Sequence, residues 1–220
     1  MEDKEILKLW QTQNEKIEQS LTINRKLLVE TIKYKAKNSL RSLEILKTSG
    51  IIAFILYLLV LTYILLYTFS NYSRISNYFL ISISAIFIIN MRGLYDYIKH
   101  LTWSKNIDFD GSIMEIQQKL SKLQLSIVNH SKVMVLQLPF WTTIYLDNSW
   151  FPSSVGGYYI IFQILFTGTF TLIAIWLYKN QKIENLNKTW YKKLLAGSGG
   201  SSVEKALQFY KELESFKSEK

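Results

Sequence analysis

Residues 50–70 read GIIAFILYLLVLTYILLYTFS, 21 residues without one charged side chain. The hydrocarbon core of a bilayer takes about 17–25 such residues as a helix, because a helix satisfies its own backbone where water cannot. This stretch decides the class. It predicts an integral membrane protein and removes most readings as a soluble enzyme. Three further uncharged apolar runs follow, at 75–91, 133–146 and 149–178, with the helix of the last starting near Gly157. The run at 75–91 just reaches spanning length. The run at 133–146 is short, is bounded by Lys132 and Asp147, and carries Pro139.

Positive charge decides how many runs cross. Ten Lys and Arg precede residue 50, one (Arg74) lies in the first gap, six lie between 92 and 132, none between 147 and 156, and nine follow residue 178. Lys and Arg are retained on the cytoplasmic side. The alternation predicts an all-α protein with four transmembrane helices, both termini cytoplasmic, and amphipathic, coiled-coil-like helices on that side. Three crossings would export the nine-charge tail. A short third span is accommodated if the uncharged flank 148–151 joins it or the bilayer thins locally. The competing reading is a re-entrant or interfacial segment. Tyr72, Tyr78, Trp150, Phe151, Tyr158 and Tyr159 fall at the outer ends of the runs, and Tyr95, Tyr97, Trp176 and Tyr178 at the inner ends. Half-polar rings favour those headgroup levels. The chain divides into a cytoplasmic helix (1–48), two spans (49–91), a central cytoplasmic segment (92–132), two spans (133–178) and a cytoplasmic tail (179–220).

Residues 1–48 hold a regular apolar stripe. Leu7, Trp10, Asn14, Ile17, Leu21, Asn24 and Leu28 follow alternating steps of three and four, the repeat of a helix packed along another helix. A buried Asn in such a stripe lowers stability but fixes register and partner number. These seven residues are the candidate partner-binding face. The alternative is packing back onto the protein's own helices. With no Pro or Gly before Gly50, the helix is expected to run on into the first span. In the central segment Asp108-Phe109-Asp110-Gly111 signals a turn, and Ser112 with Glu115 forms a capping box ahead of Ile113, Ile116, Leu120, Leu123 and Ile127. A calcium loop would need ligands at wider fixed positions and a Glu at its twelfth residue. In the tail, residues 183–195 read as a basic amphipathic helix for the membrane surface or the domain. Residues 197–202 (GSGGSS) read as a flexible linker. Val203, Leu207, Tyr210 and Leu213, with Phe216 or Lys217, read as a last amphipathic helix.

Several chemistries are excluded. Cysteine is absent, so no disulfide or thiolate metal site is available. The net charge of +9 flanks the spans, which points to topology and lipid contact rather than direct nucleic-acid binding. The acidic start Met1-Glu2-Asp3 argues against a cleaved signal peptide. No charged residue interrupts a run, which argues against proton-coupled transport. His100 and His130 have no carboxylates at metal-ligand spacing and read as solvated or helix-packed. Neither a phosphate loop nor a nucleophile elbow occurs, so no enzyme, metal or cofactor is expected. Thr62, Ser82, Ser84, Asn90, Gln137 and Gln163 read as interhelical hydrogen-bonding groups, and Gly168 as a site of close helix approach. Pro139 reads as a kink.

Three longer stretches carry a resemblance. They are Leu9-Trp10-Gln11 with Gln13-Asn14-Glu15-Lys16-Ile17, then Leu21, Asn24 and Leu27-Leu28; Ile107-Asp108-Phe109-Asp110-Gly111-Ser112-Ile113 with Ile116-Gln117-Gln118-Lys119-Leu120, Leu123 and Trp141; and Lys205 through Phe216. Together they resemble a family of small bacterial membrane proteins, common in Bacteroidetes and often encoded beside ECF-type sigma factors. The family more usually has Ser and Pro where this chain has Asp110 and Ser112. The motifs are helical and name no catalytic residue. The resemblance implies a multi-pass protein of the bacterial inner membrane that acts as an anti-sigma factor, with a sigma factor as its protein partner. The alternative is a self-assembling scaffold or channel-like homo-oligomer.

Overall fold

The computed structural model describes residues 2–73 and 77–218. The described chain is helical, without a strand: α1 (Glu2–Ser70), α2 (Asn77–Lys105), α3 (Ile113–Met134), α4 (Leu138–Trp141), α5 (Gly157–Asn180), α6 (Thr189–Leu195) and α7 (Gly200–Ser218), joined by 3-10 turns at Val135–Gln137, Ile183–Asn185 and Ala196–Ser198. Three of these helices, α1, α2 and α5, are long and apolar enough to cross a membrane.

The 69 residues of α1 form one unbroken helix. Nothing in its first 48 residues interrupts the α-pattern, since Pro and Gly are both missing there. α2 lies antiparallel beside it. Ser104 Oγ donates to Glu44 Oε1 at 3.2 Å, and Phe54, ten residues on, meets Tyr97 edge-to-face at 5.0 Å. Gly93 admits that ring: a Cβ there would stand 3.0 Å from both Phe54 Cε1 and Met134 Sδ.

Two apolar cores result. The first lies among the apolar stretches, where Leu58 and Leu61 of α1 meet Ile83 and Ile86 of α2, with Phe140 and Ile144 against them. The second joins residues 32–43 of α1 to α3, α6 and α7 through Ile32, Ala36, Leu40, Leu43, Ile116, Leu120, Leu123, Ile127, Tyr191, Leu195, Val203, Ala206, Leu207 and Tyr210. Each Leu, Ile or Val buried there gains roughly 1.5–3 kcal/mol on leaving water.

The apolar run at 133–146 is not the single helix expected from its composition. α3 tightens into a 3-10 turn at Val135–Gln137, α4 adds four residues, and helix ends at Trp141. Pro139 lacks the amide that would return to residue 135, and its ring crowds that carbonyl, so the coil tightens just before it. The Thr142 and Thr143 hydroxyls then donate to the carbonyls of Pro139 (2.6 Å) and Phe140 (3.3 Å). Neighbouring helices serve the irregular backbone that follows. Gln163 Nε2 of α5 donates to the Thr142 carbonyl (2.8 Å), and Tyr145 donates to Gln163 Oε1 (2.6 Å). Ser82 of α2 lies 2.9 Å from Thr143 Oγ1, and Asn90 donates to Gln137 Oε1 (3.1 Å). Thr62 differs from expectation, since it bonds to the Leu58 carbonyl of its own helix. No neighbour approaches Gly168, where an added Cβ would meet nothing within 4 Å.

In the tail the helix read over 183–195 is shorter, Thr189–Leu195 after a 3-10 turn at Ile183–Asn185, and of its two readings it follows packing on the domain. α6 buries Tyr191 and Leu195 in the second core, so its apolar face packs on the body. Residues 197–202 are a tight packed turn, not a flexible linker. Gly199 is buried in the left-handed region at φ +82°, a Cβ there would run into Leu43, and Gly200 already begins α7. Gly and Ser serve close approach here. α7 runs antiparallel to α1, with Gly199 at Leu43 and Phe209 under Lys35 Nζ (6.0 Å). The side chains of Leu213, Phe216 and Lys217 lie outside the described residues.

At the entry to α3, Asp108 Oδ1 accepts from the Asp110 amide (3.0 Å), and Asp110 pairs with Lys33 of α1 (3.0 Å). Ser112 Oγ accepts from the Glu115 amide at 3.2 Å. The Glu115 carboxylate meets Lys119 at 2.7 Å instead of reaching back to the cap.

Candidate functional site

One stripe runs down α1. Beyond Leu28 it continues through Ile32, Ala36, Leu40, Leu43 and Lys47, again at steps of three and four. Covered by α2, α3 and α7, those five are at most 7% exposed. Leu28 is half-buried at the junction. Before it no described residue covers the stripe: Leu7, Trp10, Asn14, Ile17, Leu21 and Asn24 are all exposed, Trp10 at 70% and Leu21 at 62%. The candidate face is therefore the unpartnered continuation of a packed one. The steps alternate strictly before Leu28, a coiled-coil repeat, and are mostly fours after it, the wider period of a helix set into a globular body.

The uncovered part, from about residue 4 to 27, is roughly 36 Å long at 1.5 Å per residue. Most helical stability in proteins comes from packing of an apolar face, so this segment gains when a partner covers it. The flanks of the stripe are nearly neutral. Gln11, Glu18 and Arg25 border it on one side, and Gln13, Ser20 and Leu27 on the other. Recognition along this face thus rests on apolar fit and on Asn14 and Asn24, with little help from charge pairing.

The second constellation was not legible as a site. Where α1 enters its apolar stretch, Lys47 meets Asp96 and His100 of α2 and His130 of α3, all buried. Each helix brings its residue inward for a local reason. Lys47 ends the α1 stripe, and Asn90, Gly93, Asp96, His100 and Ser104 form one buried face of α2. Neither histidine is solvated, which removes half of the sequence reading. Their rings stand 5.9 Å apart, nearly perpendicular. His100 Nε2 lies 3.0 Å from Ser126 Oγ. His130 Nδ1 is 3.5 Å from Asp96 Oδ2, too long for a good hydrogen bond, while Arg92 pairs with Asp96 Oδ1 at 3.3 Å. Lys47 Nζ has no hydrogen-bond partner and sits 3.8 Å over the Tyr97 ring, a cation–π contact.

Burial governs the charges. It pulls Lys47 down to about 7 against the attraction of Asp96. Burial, then the cations Lys47 and Lys99 and the second imidazole, push His100 down to about 3. His130 is lowered by burial and by Lys47, with Asp96 opposing. Both imidazoles are thus neutral at pH 7, and Asp96 keeps Arg92 as its close partner. Among the described residues no three His, Asp or Glu side chains converge as a metal-binding group. Chemically, the cluster can take up or release protons at the junction of three helices.

No family model matches this chain, and no curated protein or solved structure matches it.

Proposed function

We propose that this chain is a membrane-anchored regulatory protein of the bacterial inner membrane that captures a helical protein partner on the bare face of α1. The observation that carries the reading is the continuity of that face with the packed stripe below Leu28. An apolar helix face laid along a partner is an ordinary recognition mode. The partner class implied by the resemblance is an ECF-type sigma factor, held away from polymerase at the membrane.

In this reading the chain crosses four times, with both termini cytoplasmic. The contact between α7 and the pre-span part of α1 supports it, because an even number of crossings returns a chain to the side it left. α1, α2 and α5 supply three of them. The fourth is then the apolar run at 133–146, extended by its uncharged flank 148–151. Its non-helical half is tolerable at membrane depth because Gln163, Thr167 and Ser82 satisfy it from within the protein. The charge count agrees.

The test is purification of the full chain from its native membrane. A sigma factor is expected to co-elute with the wild type and to be lost from Trp10→Ala/Leu21→Ala. A wild-type eluate without any sigma factor sinks the reading.

A second reading has its own support. Two copies anchored alike in one bilayer carry their α1 helices parallel, so Asn14 would face Asn14 and Asn24 face Asn24, the pairing that fixes a two-stranded coil. The chain would then be a self-assembling scaffold or channel-like protein. With no native cysteine, Asn14→Cys should form a disulfide dimer in membranes if this holds. A chain that stays monomeric removes it.

A further inference from the structure

The outer side of the α1–α2 contact holds a feature unrelated to the bare face. A cleft of about 440 Å³ runs along α1 beside Lys105 of α2, lined by Arg41, Glu44, Ile45, Thr48 and Ile52 among others. A larger cleft of about 660 Å³ continues from the same Arg41, Glu44 and Lys105 toward Asp110. The lining changes along its length. Ile52 (57% exposed) lies within the uncharged run that begins at Gly50, whereas Arg41 lies about two and a half turns before that run. The cleft therefore straddles the level at which hydrocarbon gives way to headgroups.

Its charges are unequally engaged. Asp110 is held by Lys33, and Glu44 accepts from buried Ser104, which fixes its carboxylate in place. Arg41 and Lys105 make no ion pair with any described residue. Two unpaired cations therefore flank one positioned carboxylate, above an apolar slot. A phosphate suits the cations, since a guanidinium binds its oxygens in a forked geometry. A polyanion would meet Glu44 unfavourably, while an ammonium one bond-length series away would pair with it.

We propose that this cleft binds a phospholipid with a zwitterionic, phosphoethanolamine-type headgroup. The phosphate lies between Arg41 and Lys105, the ammonium lies at Glu44, and an acyl chain follows Ile45 and Ile52. The apolar end of the cleft is what selects a lipid over a water-soluble phosphate compound.

Native mass spectrometry of the full chain in detergent, titrated with phosphatidylethanolamine, phosphatidylglycerol or glycerophosphoethanolamine, tests this. One phosphatidylethanolamine should be retained, about tenfold more tightly than in Arg41→Gln/Lys105→Gln, a loss of two charge-assisted contacts. Glu44→Gln should narrow the preference over phosphatidylglycerol. A control, Lys192→Gln/Lys193→Gln on exposed positions of α6, should bind as the wild type does. All four positions of the two double variants are exposed, and an unchanged helical signal on heating verifies their folding. Equal retention by the wild type and the Arg41/Lys105 variant would overturn the site. So would an equal loss in the α6 control. Displacement by glycerophosphoethanolamine at the same concentration as the lipid would overturn the lipid as ligand.

Discussion

The two halves of α1 before its apolar stretch share one helix, one stripe and much the same composition, yet one is core and the other is surface. Leu40 and Leu43 are at most 1% exposed, whereas Leu21 is 62% exposed. What differs is the neighbour. α7 lies against α1 from about Leu43 back to Lys35 and beyond, and α3 supports it through Leu120 and Leu123. Helical periodicity therefore announces that a face will be buried without saying by what. The lower half found its cover in this chain. The upper half carries the stricter coiled-coil spacing and is suited to cover from another.

This contrast breaks most sharply at Leu43. Leu43→Ala should cost about 2–5 kcal/mol of stability, because the packed surroundings cannot close over the cavity. Denaturant unfolding in micelles measures it, and a loss below 1 kcal/mol would mean that the lower stripe is not core. Acid should act next. The histidines facing the foot of the stripe are held neutral, His100 moving from 6.5 to about 3 and His130 from 6.5 to about 4. Between pH 6.5 and 4 the unfolded chain binds protons that the folded chain refuses. Stability therefore falls as pH falls, by roughly 3 kcal/mol per imidazole at most. His100→Phe should flatten that slope in thermal melts, and an unchanged slope would contradict the burial.

Lys47 titrates on the other side of neutrality. Its folded value is lowered from 10.5 to about 7, so stability climbs as pH rises from 7 to 10.5 and is complete above that. Lys47→Met should remove this climb and stabilise the protein at pH 7 by roughly 2–3 kcal/mol. Gly199→Ala should cost about 1–3 kcal/mol, since it strains a left-handed residue and drives a methyl group into Leu43. The smallest effect belongs to the upper half. Leu21→Ala should alter the stability of the isolated protein by less than about 0.5 kcal/mol, while partner retention disappears. A large stability loss there would show that the upper face is covered by the protein itself.

The sequence made some of this legible and hid the rest for identifiable reasons. The apolar stretches of α1, α2 and α5, the Ser112 cap and the stripe are local patterns, readable over a few turns. The end of α4 at Trp141 was not readable. It depends on Thr142 and Tyr145 finding Gln163, about twenty residues away, and on Thr143 finding Ser82 of α2. The Gly/Ser run at 197–202 misled because glycine serves both flexibility and close approach, and only Leu43 tells which applies. The ionisable cluster gathers residues 47, 96, 100 and 130, which lie too far apart in the sequence to read as one group. A signal was present nonetheless. Lys47 falls on the stripe at its regular step, and Asp96, His100 and Ser104 repeat every fourth residue on α2.

The unbroken course of α1 has a mechanical consequence. No Gly or Pro lies between Leu7 and Gly50 to absorb a bend. A stiff rod of that length measures roughly 65 Å from end to end. A ten-degree change in the inclination of its anchored end displaces the tip by about 11 Å, several times the reach of a hydrogen bond. Any change in how the neighbouring helices set the inclination of α1 is thereby magnified in the position of Trp10.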